Sequence, residues 1–441
     1  MNNFLADSAI SHRQIWLIAG PMILANISTP LLGIVDTAVV GHLSSAHYLG
    51  AVAIGSMIFT FVFWGFGFLR MATTGLNAQA YGREDPVAMQ AVLFQAIWLA
   101  ILIAVALLII QIPIRDLALW LVNSSANVEQ YAAIYFDIRI WSAPATLINY
   151  AILGWLIGRE ASKTALLMVL VINIANIALD LLLVNGFGMN VDGVAWASVA
   201  AEYLGLLTGI LLLTRYGVNL HAWQLARRWQ NFRAGFRGLE VHGNFMIRTF
   251  VLILCFAFFT SQSARQGDTV LAANSVLLNF ITFMAFVLDG FANATEVLTG
   301  KALGRKNQAD LKRALWLTGI WSLLMALIFM VIYALFGHQI IRLLTSIDAV
   351  VALADQYLLW VVIAPIFGVW SYLFDGLFVG ATRSREMRNT MLFSAILVYL
   401  PAWYLLQDLG NHGLWAAILL FLLARGLSQS LYIPGIMRLT T

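Results

Sequence analysis

The chain has 441 residues, of which 61% are apolar and only 10% are charged. A soluble domain has about 45–50% apolar and about 25% charged residues, so this composition excludes an ordinary soluble protein and predicts a chain embedded in lipid. The net charge of +4 does not indicate a nucleic-acid partner, because the basic residues lie in the connections between apolar stretches. No nucleic-acid partner is predicted.

Apolar stretches of about 20 residues, the length that crosses a bilayer, follow one another along the chain. We predict twelve membrane-spanning helices, at residues 15–43, 48–75, 92–112, 131–157, 164–184, 193–213, 245–264, 271–300, 314–337, 352–380, 391–406 and 413–433. The predicted fold class is therefore an all-α polytopic membrane protein. No basic stretch precedes the first apolar region, so no cleavable signal peptide is expected, and the single Cys255 allows no internal disulfide.

Lys and Arg residues are distributed unevenly between the two sides of the predicted membrane. The termini and the connections after even-numbered spans hold 18 of them, whereas the connections after odd-numbered spans hold three, Arg115, Arg265 and Arg342. Cytoplasmic loops are enriched in Lys and Arg. We therefore predict a multi-pass protein of the cell (inner or plasma) membrane with both termini in the cytoplasm.

Short motifs recur at an offset of 222 residues, as in AYGRED at 80–85 and ALGRKN at 302–307. Six spans per half is an even number, so both halves enter the membrane from the same side. This predicts two parallel six-helix repeats around a central cavity, a transporter pattern with the substrate path between the halves. We assign residues 1–214 to an N lobe, 215–243 to a cytoplasmic linker and 244–441 to a C lobe.

We consider six acidic residues within predicted spans, where a charge costs about 2.5–3.5 kcal/mol at mid-bilayer: Asp36, Asp180, Glu202, Asp289, Glu296 and Asp375. The first and fifth spans both run outward, and counting residues places Asp36 and Asp180 within about 6–8 Å in depth. Asn173, Asn176 and Asp180 stand at i, i+3 and i+7, so they share one helix face. We therefore predict that Asp36 and Asp180 share a site that faces a cavity.

Such a pair of acids has a chemical use. Desolvation penalises the charged form, and two close carboxylates resist double ionisation, so the site is expected to bind and release a proton. The positions 222 residues further along are Phe258 and Ala402, which do not ionise. The proton-coupling candidate is thus confined to the N-terminal half.

Other interpretations of the membrane-embedded acids remain open. Asp36 could lie near the outer headgroups, and Asp180 could pair with a buried arginine. Three arginines within the spans are considered as partners: Arg139, Arg70 and Arg425. Of the other acids, two are interpreted as structural, Glu202 and Glu296, and two could serve either role, Asp289 and Asp375.

Two prolines, Pro21 and Pro30, lie inside the first span. Each removes a backbone hydrogen bond and can kink the helix, which would couple protonation to bending. The alternative is that a membrane helix simply tolerates them.

Motifs for catalysis or metal binding do not occur in the sequence. There is no phosphate-binding glycine loop, no zinc helix signature and no nucleophile elbow, and His42 and His47 are interpreted as surface residues. We therefore predict a protein that is not an enzyme and has no metal site and no cofactor, with the proton motive force, or alternatively sodium, as its energy source.

Several stretches resemble one known family. They are PLLGIVDTAVVGHL, LGAVAIG, FLRMATTGLNAQAYG, NIANIALD, GVAWASVAAEYLG and LFDGLFVGATR, and they resemble the multidrug and toxic compound extrusion (MATE) family, in particular its DinF-like branch. The resemblance implies a secondary active antiporter of two six-helix lobes that exports lipophilic, often cationic compounds in exchange for protons or sodium by alternating access. Its expected partners are small-molecule drugs, organic cations and membrane lipid, and it is expected to be a monomer.

The resemblance also implies roles for individual residues. Asp36 is similar to the protonation residue of the DinF-like branch, with Asn176 and Asp180 as its companions. Ser198 stands where relatives often carry a hydroxyl, and Pro21 is similar to a helix bend point.

One departure from the family pattern bears on the coupling ion. Sodium-coupled relatives carry a carboxylate in the seventh helix, and span 7 here has none, although Asp375 fits a family position in span 10. This favours protons over sodium. A sodium-coupled antiporter and a flippase for lipids or lipid-linked sugars remain as alternatives.

Overall fold

The computed structural model describes residues 10–41, 46–122, 125–218 and 232–440, which form helices joined by short turns, with no strand in these ranges. In the first half the helices are α1 His12–Gly41, α2 Ala46–Gly65, α3 Phe68–Gly82, α4 Pro86–Ile109, α5 Gln111–Val122, α6 Ala126–Arg139, α7 Ala143–Gly158, α8 Ser162–Asp180 and α9 Val191–Arg215. In the second half they are α10 Phe232–Arg265, α11 Asp268–Gly304, α12 Gln308–Leu344, α13 Asp348–Gly380, α14 Ser384–Phe393, α15 Leu400–Leu405, α16 Asn411–Ser430 and α17 Ile433–Met437. The described ranges also contain two π-helical segments, Leu181–Gly186 after α8 and Ser394–Tyr399 after α14.

Ten helical stretches within the described ranges are long and apolar enough to cross a membrane: His47–Gly82, Pro86–Ile109, Ala126–Gly158, Ser162–Gly186, Val191–Arg215, Gly238–Arg265, Asp268–Gly304, Gln308–Leu344, Asp348–Gly380 and Asn411–Met437. They coincide with ten of the twelve predicted spans. The first predicted span lies in α1, of which the structure describes only part of the side chains. The eleventh lies in α14 and α15, where Arg385, Glu386 and Arg388 make the first turns polar and shorten the apolar stretch.

The outer surfaces of these helices are apolar. Large side chains such as Ile109, Trp316, Leu343 and Leu405 are more than half exposed. Water disfavours apolar surface of this extent, whereas lipid chains accept it. The predicted all-α, multi-pass membrane fold is therefore confirmed.

The internal repeat is visible in the backbone. Glu84 and Lys306 both adopt left-handed conformations, with φ of 56° and 54°, and Glu160 and Thr382 do the same, with φ of 65° and 53°. Non-glycine residues rarely adopt a positive φ, and these four are the ones that do so in the described part of the chain. Both pairs are separated by the predicted offset of 222 residues.

The helices that follow the first of these turns are capped alike. At the start of α4 the Ala88 N–H donates to Asp85 Oδ1 at 2.9 Å, and at the start of α12 the Asp310 N–H donates to Asn307 Oδ1 at 3.1 Å. Asp and Asn are favoured N-caps because their side chains satisfy a free N–H of the first turn. AYGRED and ALGRKN are therefore the same turn and cap in two halves, as the repeat predicts.

The residues form two compact units that do not follow chain order throughout. The first unit contains the described residues of Met1–Ile23, Ala78–Glu84 and Phe236–Thr441, and the second contains those of Leu24–Asn77 and Asp85–Gly235. Helix α1 is thus divided between the units after Ile23. The lobe boundaries at residues 214 and 244 stay predictions, and much of the predicted linker, residues 219–231, lies outside the described ranges.

Candidate functional site

A polar face runs along α8 in the second unit. Asn173, Asn176 and Asp180 lie on this face as the spacing predicts, and all three are buried, Asp180 to 0% exposure. Asp180 is the last α-helical residue, because the chain continues as the π-helical segment Leu181–Gly186.

Hydrogen bonds tie this polar face to two neighbouring helices. Asn173 Nδ2 donates to Ser28 Oγ of α1 at 2.8 Å, and Ser28 Oγ donates to the Ala25 carbonyl at 2.7 Å. Asn176 Nδ2 donates to Ser198 Oγ of α9 at 3.0 Å. The three residues predicted to support the site, Asn173, Asn176 and Ser198, are therefore brought together with α1 around the helix that carries Asp180.

Helix α1 carries the other predicted coupling residue. It runs without interruption from His12 to Gly41 and includes Pro21, Pro30 and Asp36. The Asp36 and Pro30 side chains lie outside the described part of the structure. The coupling role of Asp36 and the bend at Pro21 stay predictions.

A second polar group in the same unit involves Glu202 of α9. Asn149 Nδ2 of α7 donates both to Glu202 Oε2, at 2.9 Å, and to the Glu202 backbone carbonyl, at 3.0 Å. Glu202 therefore forms hydrogen bonds between α7 and α9, in agreement with its predicted structural role. Nearby, the Arg139 guanidinium lies over the rings of Phe59 and Tyr135, 5.6 Å and 5.8 Å from their centroids.

In the first unit a different cluster surrounds Asp375 of α13. Arg248 of α10 and Arg425 of α16 both donate from Nη2 to Asp375 Oδ2, the latter at 2.6 Å. Gln429 Nε2 donates to Asp375 Oδ1 at 2.7 Å. All four side chains are buried, so Asp375 is a carboxylate with both oxygens engaged and two guanidinium groups as counter-ions. We call these four residues the arginine cluster.

Arg248 is the residue that the sequence analysis missed. It lies inside the seventh predicted span, in addition to the three intramembrane arginines named from the sequence, Arg70, Arg139 and Arg425. A basic residue at any position inside a span is itself a signal, and that signal was present in the stretch FMIRTFV. The other secondary candidate, Asp289 of α11, is half-buried and lies within electrostatic range of Tyr372, as does Asp375.

The ends of α3 and α11 meet at two glycines within the first unit. A Cβ atom on Gly82 would collide with the backbone of Lys301, and one on Gly304 would collide with the backbone carbonyl of Gln79. Gly82 and Gly304 are 222 residues apart, as are Gln79 and Lys301, so the contact is symmetric under the repeat. Gln79 Nε2 also donates to the Gly380 carbonyl at 2.9 Å. We call this contact the glycine crossing.

Comparison with known proteins agrees with the fold and the repeat. The family model described as MatE matches the chain twice, over residues 21–182 and 245–405. The chain is 44% identical over 427 residues to DNA damage-inducible protein F of Escherichia coli (strain K12), covering 95% of this chain and 91% of that protein. It is 28% identical over 429 residues to the "Probable multidrug resistance protein NorM" of Rhizobium meliloti (strain 1021), covering 92% and 90%.

A solved structure shows the same fold at low sequence identity. A single-residue mutant of the Vibrio cholerae MATE transporter VcmN superposes with a TM-score of 0.86 at 20% identity, covering 97% of each chain. The two family-model matches together span most of the chain. The chain therefore belongs to the MATE family of membrane transporters, in its DinF-like branch.

Proposed function

We propose that this protein is a secondary active antiporter that exports lipophilic, often cationic compounds in exchange for protons, from an inner or plasma membrane with both termini in the cytoplasm. Family membership and the multidrug resistance protein among its relatives support the substrate class. The observation that carries proton coupling is the fully buried Asp180, on a helix face that hydrogen-bonds to the helix containing Asp36.

The Ser28–Asn173 hydrogen bond gives a common reference level for the two acids. Asp36 lies eight residues beyond Ser28, and Asp180 lies seven residues beyond Asn173. At 1.5 Å per residue these positions are about 12 Å and about 10.5 Å along their helices from the bond. With both helices running outward, as the topology predicts, the two residues differ in depth by about 2 Å. This supports a shared site more strongly than counting from the span ends does.

In the proposed cycle, protons arriving from outside neutralise the Asp36 and Asp180 pair. Two close carboxylates in a low-dielectric site repel each other, so protonation removes that repulsion and lets α1 repack against α8. Repacking narrows the cavity of the N-terminal half and expels the substrate outward. Each proton that moves inward through 100 mV releases about 2.3 kcal/mol, so one or two protons drive a modest substrate gradient.

Two features support alternating access. Helix α1 divides between the two compact units only two residues beyond Pro21, which removes a backbone hydrogen bond there. The glycine crossing brings the ends of α3 and α11 into backbone contact. In the proposed cycle α1 bends near Pro21, and the glycine crossing is a closed cytoplasmic contact that separates when the transporter opens inward.

Transport into everted membrane vesicles tests the proposal. A fluorescent organic cation should accumulate under an imposed pH gradient with sodium balanced, and should not accumulate under a sodium gradient with pH balanced. Asp36→Asn should abolish the pH-driven transport, whereas Asp348→Asn, which alters a carboxylate that is 91% exposed, should leave it unchanged. Transport that survives Asp36→Asn, or that follows sodium alone, would contradict proton coupling.

The arginine cluster argues against the two alternative functions, a sodium-coupled antiporter and a flippase. A sodium site at Asp375 needs free carboxylate oxygens, and both oxygens accept hydrogen bonds from Arg248, Arg425 and Gln429. A flippase needs cationic side chains for a phosphate, and these two arginines already pair with Asp375. Both observations favour the proton-coupled drug antiporter.

A further inference from the structure

In the arginine cluster the guanidinium groups of Arg248 and Arg425 take the place that a bound cation would have beside Asp375. Asp375 is buried in a membrane-spanning helix, where a lone carboxylate would need a counter-ion. Arg248 and Arg425 reach it from two other helices, 127 and 50 residues away in the chain, and Gln429 takes the remaining oxygen. The counter-ions of Asp375 are thus side chains of the protein itself.

We infer that Arg248 and Arg425 act as resident cations that exclude sodium from Asp375, so that the C-terminal half carries no free coupling ion. The consequence of this exclusion for transport rests on the proposed antiport function. It makes Arg248 and Arg425 determinants of ion specificity, and it removes Asp375 from the set of coupling residues.

Charge and geometry together support this exclusion. A sodium ion would have to displace a guanidinium group that remains tethered beside the site, or else approach two like charges at close range in a low-dielectric interior. The other ionisable groups near the cluster include Tyr372 and Asp289, which lie within electrostatic range of each other, and the Cys255 thiol, which lies within range of Arg425. Two guanidinium groups and two carboxylates leave no excess negative charge to attract another cation.

The repeat shows that the arginine cluster exists in one half only. The positions 222 residues before Arg248, Asp375, Arg425 and Gln429 are Asn26, Leu153, Tyr203 and Leu207. None of the four carries a full charge at neutral pH. The N-terminal half therefore has acids without this arginine pair, and the C-terminal half has an acid that the pair neutralises.

Sodium binding to the purified full-length protein tests the inference without measuring transport. Unfolding temperature is compared in NaCl and in choline chloride of equal ionic strength. The natural protein should show no sodium-specific shift. Arg248→Met combined with Arg425→Met exposes the carboxylate, and sodium should then raise the unfolding temperature by about 2–4 °C.

Two variants control for charge and for the carboxylate itself. Arg248→Lys combined with Arg425→Lys keeps both cations and should show no sodium effect, and adding Asp375→Asn to the double methionine variant should abolish the shift. A double methionine variant that folds but does not respond to sodium would overturn the inference.

A variant that keeps both arginines provides an independent measurement if the methionine variants do not fold. A sodium-specific shift that persists when Asp36→Asn and Asp180→Asn are combined would place a cation outside the N-terminal acids and would overturn the inference. The absence of such a shift supports it. Failure of the proposed proton coupling would appear instead as pH-independent transport, so the two failures are distinguishable.

Discussion

Each half of this transporter buries an aspartate in a membrane-spanning helix, and the two surroundings differ. Asp180 shares its helix face with Asn173 and Asn176, which bind hydroxyl groups on neighbouring helices. Asp375 is bonded to two guanidinium groups. Protonating Asp375 would leave two buried cations without their counter-ion, whereas the hydrogen bonds from Asn173 to Ser28 and from Asn176 to Ser198 on the Asp180 face join neutral groups. Burial alone therefore does not identify a proton site, because the charge of the neighbours decides what neutralisation costs.

The sharpest test of this difference is to make the same substitution in both halves, beginning with Asp375→Asn. Removing one partner of a buried ion pair typically costs about 3–5 kcal/mol, because the remaining charge is left uncompensated. We expect a large fall in unfolding temperature in detergent, with Asp348→Asn as an exposed control that stays unchanged. An unchanged unfolding temperature would show that Arg248 and Arg425 have other counter-ions.

Asp180→Asn should have the opposite pattern. An amide is nearly isosteric with a carboxyl group and can still hydrogen-bond, so we expect a folded protein with an unfolding temperature close to that of the natural sequence. Proton-driven efflux should fall at least about tenfold, the loss expected when about 1.4 kcal/mol of coupling is removed. If Asp180→Asn destabilised the fold as strongly as Asp375→Asn, Asp180 would be a structural ion-pair partner, and the contrast between the halves would disappear.

The halves are alike at the glycine crossing, and there equivalent substitutions should have equal effects. Gly82→Ala and Gly304→Ala each force a Cβ against backbone atoms that cannot rotate away. We expect each to cost about 1–3 kcal/mol, as overpacking does, and to reduce efflux. Gly243→Ala is the control, because a Cβ there meets no atom within 4 Å. Clearly unequal effects would argue against a symmetric contact.

The sequence was informative where the signal is local or periodic. The offset of 222 residues predicted the paired left-handed turns, including Glu84 and Lys306, and the i, i+3, i+7 spacing predicted the buried face that ends at Asp180. The pairing of Asp375 with Arg248 and Arg425 could not be predicted, because these residues lie on helices 127 and 50 residues away and no spacing rule connects them. The presence of Arg248 inside a predicted span, in contrast, can be read from the sequence.

The smallest expected effect concerns the link between α1 and α8. Ser28→Ala removes the acceptor of Asn173 Nδ2 and should cost about 1 kcal/mol, the usual net value of one hydrogen bond. In the proposed site this bond holds Asp36 and Asp180 at the same level, so pH-driven efflux should fall by a few-fold and not disappear. Thr29→Ala is a matched control, since Thr29 Oγ1 also faces the Ala25 carbonyl, at 3.4 Å, but is more exposed than Ser28. Equal losses in both variants would show that the bond to α8 has no special part in coupling, and the argument for a shared site would then depend on Asp180 alone.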